Sequence, residues 1–499
     1  MLDVLLIATP LIMGDHRLDF KPPLNLLFLH AYLKRQGMAS DVCDMVSERL
    51  ELADVLARIQ RQQPRAIGIP MYHATTDTVF DLIRAIRAMD PSIRIIAGGP
   101  SFTIEPDKYM QSGLFDAGVV GEGEVTFLEV LKALREPDPP HTPGAAFMKG
   151  DQIVIHPRRT QIDDLDALPF LDYAPIDMDV YFNYQQQMGI AKTIFMTTSR
   201  GCAFRCTFCS TPLLWGPSNV RRVSAGRILA EIAHHKAVFG DVNIGFLDDS
   251  FFADRQWLAE FLPGIKKLGV PYTCIGRVDH LDTTLIEQTA ESGCIYVAFG
   301  VETGSQLRQR RIKKYLSLDK LKRNMAAFAK YDITTKCFFM LGFPDETIEE
   351  MADTINLAVD LAIIGMKKCS FFPVIVYPGT EMARDFDFQE FDAGIHDDYV
   401  IDMAGYTGAA SPVNAGDTGI SMYSTVPKSD SNPYLNHKGL VQLIKMAYQK
   451  VTDKEHITVE EIEALRDPEW TPVLRAMSSA DLATPITTAE MTMPALRPD

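Results

Sequence analysis

Residues 199–210 read SRGCAFRCTFCS. Cys202, Cys206 and Cys209 stand there in a C-x3-C-x2-C pattern, directly after the apolar run TIFMTT at 193–198. With eight cysteines in 499 residues, chance places a triplet at a given spacing in roughly 0.002 of such chains. Three buried structural thiols would need no such spacing. A structural zinc site wants four Cys or His ligands, usually in two paired clusters. The nearest histidines, His234 and His235, lie on a stretch with helical periodicity and offer no such pairing. Three thiolates suit a [4Fe–4S] cluster with one iron left open to bind a small molecule. Because the trio follows an apolar strand, the cluster would sit at a strand's C-terminal end.

Working outward, Lys192 opens a series of alternating strands and helices. The strand candidates are 193–198, 243–247, 271–275, 295–301, 335–341 and 369–376. Six strands with helical patterns between them predict a partial (β/α)6 barrel, whose chemistry sits at the C-terminal strand ends. Upstream, short apolar runs at 2–8, 39–45, 66–71, 93–97 and 117–120 alternate with helical patterns. That alternation predicts a doubly wound, Rossmann-like α/β domain. The proline-rich stretch EPDPPHTP at 136–143 marks a boundary. The expected division is 1–140, an N-terminal domain; 141–190, a connector with a small hairpin; 191–390, the barrel; and 391–499, a small, mostly helical C-terminal region with a flexible tail. Within the last, 404–436 reads as a long loop, while 438–450 and 458–466 look helical.

Composition is that of an ordinary globular protein, 46% apolar and 23% charged. A formal charge of −16 disfavours sequence-independent nucleic-acid binding, which relies on Lys and Arg. No run approaches the ~18–20 apolar residues of a membrane span. The opening, Met1 to Pro10, reads as a strand and not as a signal peptide, so reduced thiols and a cytoplasmic location are expected.

The block SRGCAFRCTFCSTPLLWG, followed by VRRVSAGRILAEI, resembles the cobalamin (B12)-binding branch of the radical S-adenosylmethionine (radical SAM) superfamily. Within it the chain is similar to class B radical SAM methyltransferases and to anaerobic magnesium-protoporphyrin cyclase-like proteins. The resemblance covers roughly residues 1–390. It implies Cys202, Cys206 and Cys209 as ligands of a [4Fe–4S] cluster whose open iron chelates S-adenosylmethionine, with Phe208 beside the adenine. In that family an electron from the cluster releases a 5′-deoxyadenosyl radical. Further segments match in order. FLDDSF (246–251) ends a strand with Asp248 and Asp249, where Asp248 is a candidate SAM contact or a structural link. IGRVDHLD (275–282) offers Arg277 as a clamp on the SAM carboxylate, or as an ion pair. VAFGVETGS (297–305) resembles the family's GVESGS segment, with Thr303 replacing the commoner Ser, and implies that Glu302 faces SAM. FFMLGFPDET (338–347) resembles the strand and turn that support the adenine.

In the N-terminal domain no G-x-G-x-x-G follows the first strand, so a dinucleotide site is not indicated. KPPLNLLFLHAYLKRQG, IGIPMYHATTDT, IIAGGPSFTIEP and VVGEGEVTF resemble the family's cobalamin domain instead. The implied cobalamin contacts are Tyr72, His73, Ala74, Thr75 and Thr76; Gly98, Gly99, Pro100 and Ser101; and Gly121, Glu122, Gly123 and Glu124. The alternative is an α/β domain without a ligand. D-x-H-x-x-G is absent, so no histidine ligand to cobalt is expected through that motif. Cys274, Cys294, Cys337 and Cys369 read as small core residues, and His234–His235 and Asp397–Asp398 as solvated pairs.

The resemblance implies a cobalamin-dependent radical SAM methyltransferase that moves a methyl group from SAM through methylcobalamin to an unactivated carbon, or a phosphinate phosphorus, of a small molecule. A cobalamin-linked oxidative cyclisation or ring rearrangement is the alternative. An RNA methylthiotransferase would need a second cluster from N-terminal cysteines, and residues 1–150 hold only Cys43. A cobalamin sensor without enzymatic activity has no use for the trio. An external one-electron reductant of the flavodoxin or ferredoxin type is the implied partner.

Overall fold

The computed structural model describes residues 2–10, 21–136, 140–150, 152–386 and 437–466. The 404–436 stretch, Asp397–Asp398 and the C-terminal tail lie outside them.

The strand β1 (Val4–Ala8) shows how the first domain is built. Its residues alternate between two cores: Val4 and Leu6 join one apolar cluster, Leu5 and Ile7 another. Side chains alternate across a strand, so a run that is apolar on both faces must be covered on both. The helices Leu24–Arg35 and Gly123–Ala133 cover one face with Leu26, Leu27 and Phe127. Leu52–Gln62 and Thr76–Met89 cover the other with Val55, Ile59, Leu82 and Ile83. Parallel to β1 run β2 (Ser40–Asp44), β3 (Ala66–Pro70), β4 (Arg94–Gly98) and β5 (Ala117–Val119), in the order β2-β1-β3-β4-β5. Strand order reverses between β1 and β3, and such a switch point opens a crevice at the carboxyl ends of the strands. The expected hairpin, β6 (Ala145–Lys149) and β7 (Gln152–Ile155), adds antiparallel to β5 and extends this sheet.

The second domain is a six-stranded, all-parallel open barrel. Its strands β8 (Thr193–Met196), β11 (Asn243–Phe246), β12 (Tyr272–Gly276), β13 (Cys294–Glu302), β14 (Thr334–Leu341) and β15 (Lys368–Pro373) follow one another in sequence order. Between β8 and β11 lies a two-residue antiparallel pair, β9 (Ser199–Arg200) with β10 (Arg221–Arg222). The helices between strands start where the sequence supplies side-chain caps. Ser224, Asp254, Asp282, Ser317 and Thr347 each accept a first-turn amide.

The two domains share a core. Leu6 and Phe127 belong to the same apolar cluster as Ile194, Phe246 and Leu341. Tyr181, on the helix Met178–Gln187 that leads into the barrel, donates to the Asp44 carboxylate at the end of β2. In the C-terminal region the helix His437–Asp453 buries Leu443, Ile444 and Ala447, and Tyr448 Oη accepts the Phe371 amide at 3.1 Å. Asn356 exchanges two hydrogen bonds with Ile457, 3.1 and 2.8 Å long. The described part of this region therefore packs on the last strand and helix of the barrel.

Cys274, Cys294, Cys337 and Cys369 are all buried. One expectation is corrected: His235 is not solvated. It is 2% exposed, with Nε2 3.7 Å from Glu231, while its neighbour His234 is exposed. Successive helix positions point about 100° apart, so one member of an adjacent pair can face the core. Among the described residues no helix is long and apolar enough to cross a membrane.

Candidate functional site

The site begins where β8 ends. Asp248, at the end of β11, accepts the Thr198 amide at 3.0 Å, the Thr198 hydroxyl at 2.7 Å and the Ser199 hydroxyl. These bonds fix the exit of β8, so the cysteine loop starts from a rigid edge. Gly201 follows in the left-handed region (φ +97°), and a Cβ there would overlap the Asn219 carbonyl. Only glycine meets both conditions. The loop is then clasped from across the barrel: the Thr207 amide donates to the Ile312 carbonyl at 3.1 Å, and Cys206 Sγ lies 3.9 Å from the Lys313 carbonyl.

Cys202, Cys206 and Cys209 are free thiols, and burial raises the pKa of all three, that of Cys206 to about 11. Arg277 opposes the rise at Cys202 and Cys206, and Lys314 opposes it at Cys206 and Cys209. Two cations beside three buried thiols favour their charged, ligating form. Among the described residues no three His, Cys, Asp or Glu side chains are placed to hold a single metal ion. A mononuclear zinc site would need its sulfurs to converge within ~2.3 Å of one point. Three cysteine sulfurs on one loop are the donor type that an iron–sulfur cluster takes.

Around the thiols stand the other predicted contacts. Arg277 lies with its guanidinium 3.6 Å from the Phe204 ring centroid, pairs with Asp279 at 2.7 Å, and donates to the Lys314 carbonyl at 2.7 Å. Glu302 closes β13 at a register shift and has φ +69°, a strained conformation for a non-glycine residue. Its carboxylate is 2.7 Å from Lys314 Nζ, and the pair lies over Gly300. Lys314 sits between two more positive-φ residues, Lys313 and Tyr315. Phe208 packs edge-on against Phe343, in the turn after β14. That turn is held by Glu346, whose Oε2 accepts the amides of Gly342 (2.6 Å) and Phe343 (3.1 Å). Asp248 is engaged by Thr198 and Ser199. Its neighbour Asp249 lines the central cavity, with its pKa raised to about 6 by burial and by Asp248.

That cavity, of about 390 Å³, lies between the carboxyl ends of the first sheet and the mouth of the barrel. Tyr72, Gly98 and Gly121 face it from one domain, and Ser199, Trp215 and Asp249 from the other. A second cavity of about 300 Å³ adjoins it and is lined by His73, Ala74, Thr75 and Ser101. All the predicted loop residues except Thr76 line one of the two; Thr76 donates to the Tyr72 carbonyl at 3.1 Å. Burial raises the Tyr72 phenol to about 12, and the His73 ring faces Glu105 at 3.7 Å. A Cβ on Gly98 would meet only Val119, at 3.9 Å, so the bare backbone leaves open space. A glycine-floored crevice at a switch point, walled by Leu24, Phe28 and Trp215, fits a broad, flat ligand.

Sequence reasoning missed what joins the two halves. Arg200 Nη1 donates to Glu122 at 2.7 Å and Nη2 to Glu124, while Arg221 donates to Glu122 at 2.9 Å. All four side chains are at most 12% exposed. Trp215 lies beside both guanidinium groups, 5.7 and 5.9 Å from its ring centroid. Lys314 was also missed. The available signal was an arginine next to the cysteine motif and two acids in GEGE, which a single sequence does not pair.

Comparison with known proteins agrees with this arrangement. Residues 196–358 match the radical SAM superfamily and residues 11–131 the B12 binding domain. An uncharacterised methyltransferase of Pyrococcus horikoshii is 29% identical over 368 residues, 72% of this chain and 77% of that one. Cytidylyl-2-hydroxyethylphosphonate methyltransferase of Streptomyces wedmorensis is 26% identical over 427 residues, 74% of this chain and 78% of that one. The structure of the radical S-adenosylmethionine methyltransferase TsrM from Kitasatospora setae, with cobalamin and a [4Fe–4S] cluster bound, superposes with a TM-score of 0.67 at 17% identity, over 79% of this chain and 82% of that one. At that identity the likeness establishes the fold.

Proposed function

The chain is a radical SAM protein with a B12-binding domain, and from that premise we propose that it is a cobalamin-dependent methyltransferase that methylates an unactivated carbon, or a phosphinate phosphorus, of a small molecule. Its cofactors are a [4Fe–4S] cluster, S-adenosylmethionine and cobalamin. Together they supply a carbon-centred radical for hydrogen abstraction and a methyl donor able to react by one electron. The observation that carries the reading is the shared cavity: Ser199 and Arg200, just before the three-thiol loop, and Leu214 and Trp215, just after it, line the same space as the glycine-floored sheet edge.

The chain's own groups have distinct tasks in this reading. Cys202, Cys206 and Cys209 hold the cluster. Phe208 and the Phe343 turn form the apolar support for an adenine. Arg277 and Lys314 hold positive charge beside the thiolates, and Glu302 offers a carboxylate to the SAM amino group. Asp248 acts through Thr198 and Ser199 by fixing the loop, which leaves Asp249 as the acid facing the cavity. The loops at 72–76, 98–101 and 121–124 seat cobalamin. Phe28, Leu29 and Trp215 line the cavity with apolar surface and limit water around reactive species. The division into domains at 1–140, 141–190, 191–390 and 391–499 is retained in this reading, with the hairpin at the start of 141–190 belonging to the first sheet and substrate choice assigned to the last. Reduced thiols and a reducible cluster suit the cytoplasm.

The test is anaerobic reconstitution with iron, sulfide and cobalamin, followed by incubation with SAM and candidate acceptors. The expected result is equal formation of methylated product, S-adenosylhomocysteine and 5′-deoxyadenosine. Intact SAM turnover with a product that lost hydrogen, and gained no methyl group, would replace methyl transfer by an oxidative cyclisation.

A further inference from the structure

The cysteine loop is met by the segment Gln306–Tyr315. Its carbonyls at Ile312 and Lys313 meet Thr207 N and Cys206 Sγ at 3.1 and 3.9 Å. The outer side of the segment has an unusual character. Leu307 is 51% exposed and Tyr315 45% exposed, two of only six large apolar side chains so exposed among the described residues. Arg310 and Arg311 lie three and four positions after Leu307 on the helix Gln306–Arg311, so the three share one face. Lys313 and, within the cysteine loop itself, Arg205 add positive charge at the surface. Asp345 and Glu381 offset part of it, at 3.4 Å from Arg311 and 2.7 Å from Lys313; Arg310 is exposed. The chain as a whole carries −16, whereas the stretch Gln306–Tyr315 holds five Arg and Lys residues and no Asp or Glu.

We propose that this face, centred on Leu307, Arg310 and Tyr315, is the docking surface for a small acidic one-electron carrier with a flavin or an iron–sulfur centre at its edge. The inference rests on the function proposed above, which requires an electron from outside. Docked here, the reduced carrier would give up one electron to a cluster held by the trio, on the side where the Lys313 carbonyl meets Cys206 Sγ; the carrier is oxidised by one, no bond forms and no proton moves. Exposed apolar side chains beside cations are the composition expected of a transient interface steered by charge.

The test uses the full reconstituted chain, with purified acidic flavodoxin in its fully reduced form as the probe. Stopped-flow bleaching of the cluster absorbance gives the second-order rate. In Leu307→Ser/Arg310→Glu the rate should fall at least about tenfold at low ionic strength, and the gap should narrow in high salt. Arg310→Lys should keep the wild-type rate. Bleaching by dithionite should be unchanged in every variant, which shows that the cluster site is intact. Equal rates with flavodoxin in wild type and double variant would overturn the docking surface. Binding of RNA to this face, lost in the double variant while flavodoxin rates persist, would reassign it. Wild-type protein that dithionite cannot reduce would overturn the functional reading itself.

Discussion

Arg200 reaches across the domain boundary to Glu122 at 2.7 Å, from a position two residues before the first cysteine of the cluster loop. Glu122 belongs to the loop after β5 that borders the cavity on the side of the first sheet. One ion pair therefore ties the start of the cysteine loop to the glycine-rich loop after β5, and Glu124 and Arg221 reinforce it.

Removing one member of this network should leave an uncompensated buried charge. Glu124→Gln is expected to destabilise the fold by about 3 kcal/mol, read from chemical denaturation. The same variant should raise the ratio of 5′-deoxyadenosine to methylated product, because the loops lose their mutual registration. A stable variant with an unchanged ratio would make the pair an ordinary interface contact.

Cys206→Ala removes one of the three sulfurs and leaves a methyl-sized change in a buried loop. The protein should stay folded and still take up cobalamin, as followed by its visible absorbance. It should lose the iron–sulfur absorbance and all SAM cleavage. Retained SAM cleavage would exclude the trio as the cluster site.

Two glycines of the first sheet should respond oppositely. A Cβ at Gly118 would overlap the Phe102 ring, so Gly118→Ala should cost about 1–3 kcal/mol of stability. A Cβ at Gly98 would project into open space beside the cavity. Gly98→Ala should therefore leave the melting temperature within a degree or two, as for a harmless substitution, while weakening cobalamin uptake. Normal uptake would move the cofactor away from the β4 edge.

Stability should fall as pH rises through the neutral range, through Glu346. Burial raises its pKa from 4.5 to about 8. Between those values the folded chain keeps a proton that the unfolded chain has released, so stability declines with pH and levels off above about 8. Glu346→Gln, which cannot ionise, should flatten this slope in denaturation curves at pH 5, 7 and 9. An unchanged slope would assign the dependence to other groups.

The strand series of both domains was legible because parallel strands covered on both faces read as short apolar runs between helical patterns. The cysteine trio was legible because its three members are local in sequence. The GEGE, GGPS and YHATT segments could be placed by resemblance, and they do border the cavities. Asp248 shows the limit. Adjacent acids at a strand end look alike, and only the fold turned Asp248 toward Thr198 and left Asp249 facing the cavity. His235 shows it again: its burial depends on which arc of a helix faces Tyr173, and nothing in the pair His234–His235 records that.

The sequence by itself determined the two folds, the three sulfurs and the order of the barrel motifs, since each depends on residues near one another along the chain. The tertiary structure alone decided that Arg200 meets Glu122 and Glu124, that Lys314 meets Glu302, and that Cys206 lies under the Lys313 carbonyl. The reason is physical. Charge pairing and burial are properties of distances in space, and the partners here are separated by up to 107 residues of chain, across which hydrophobic periodicity carries no information about who will meet whom.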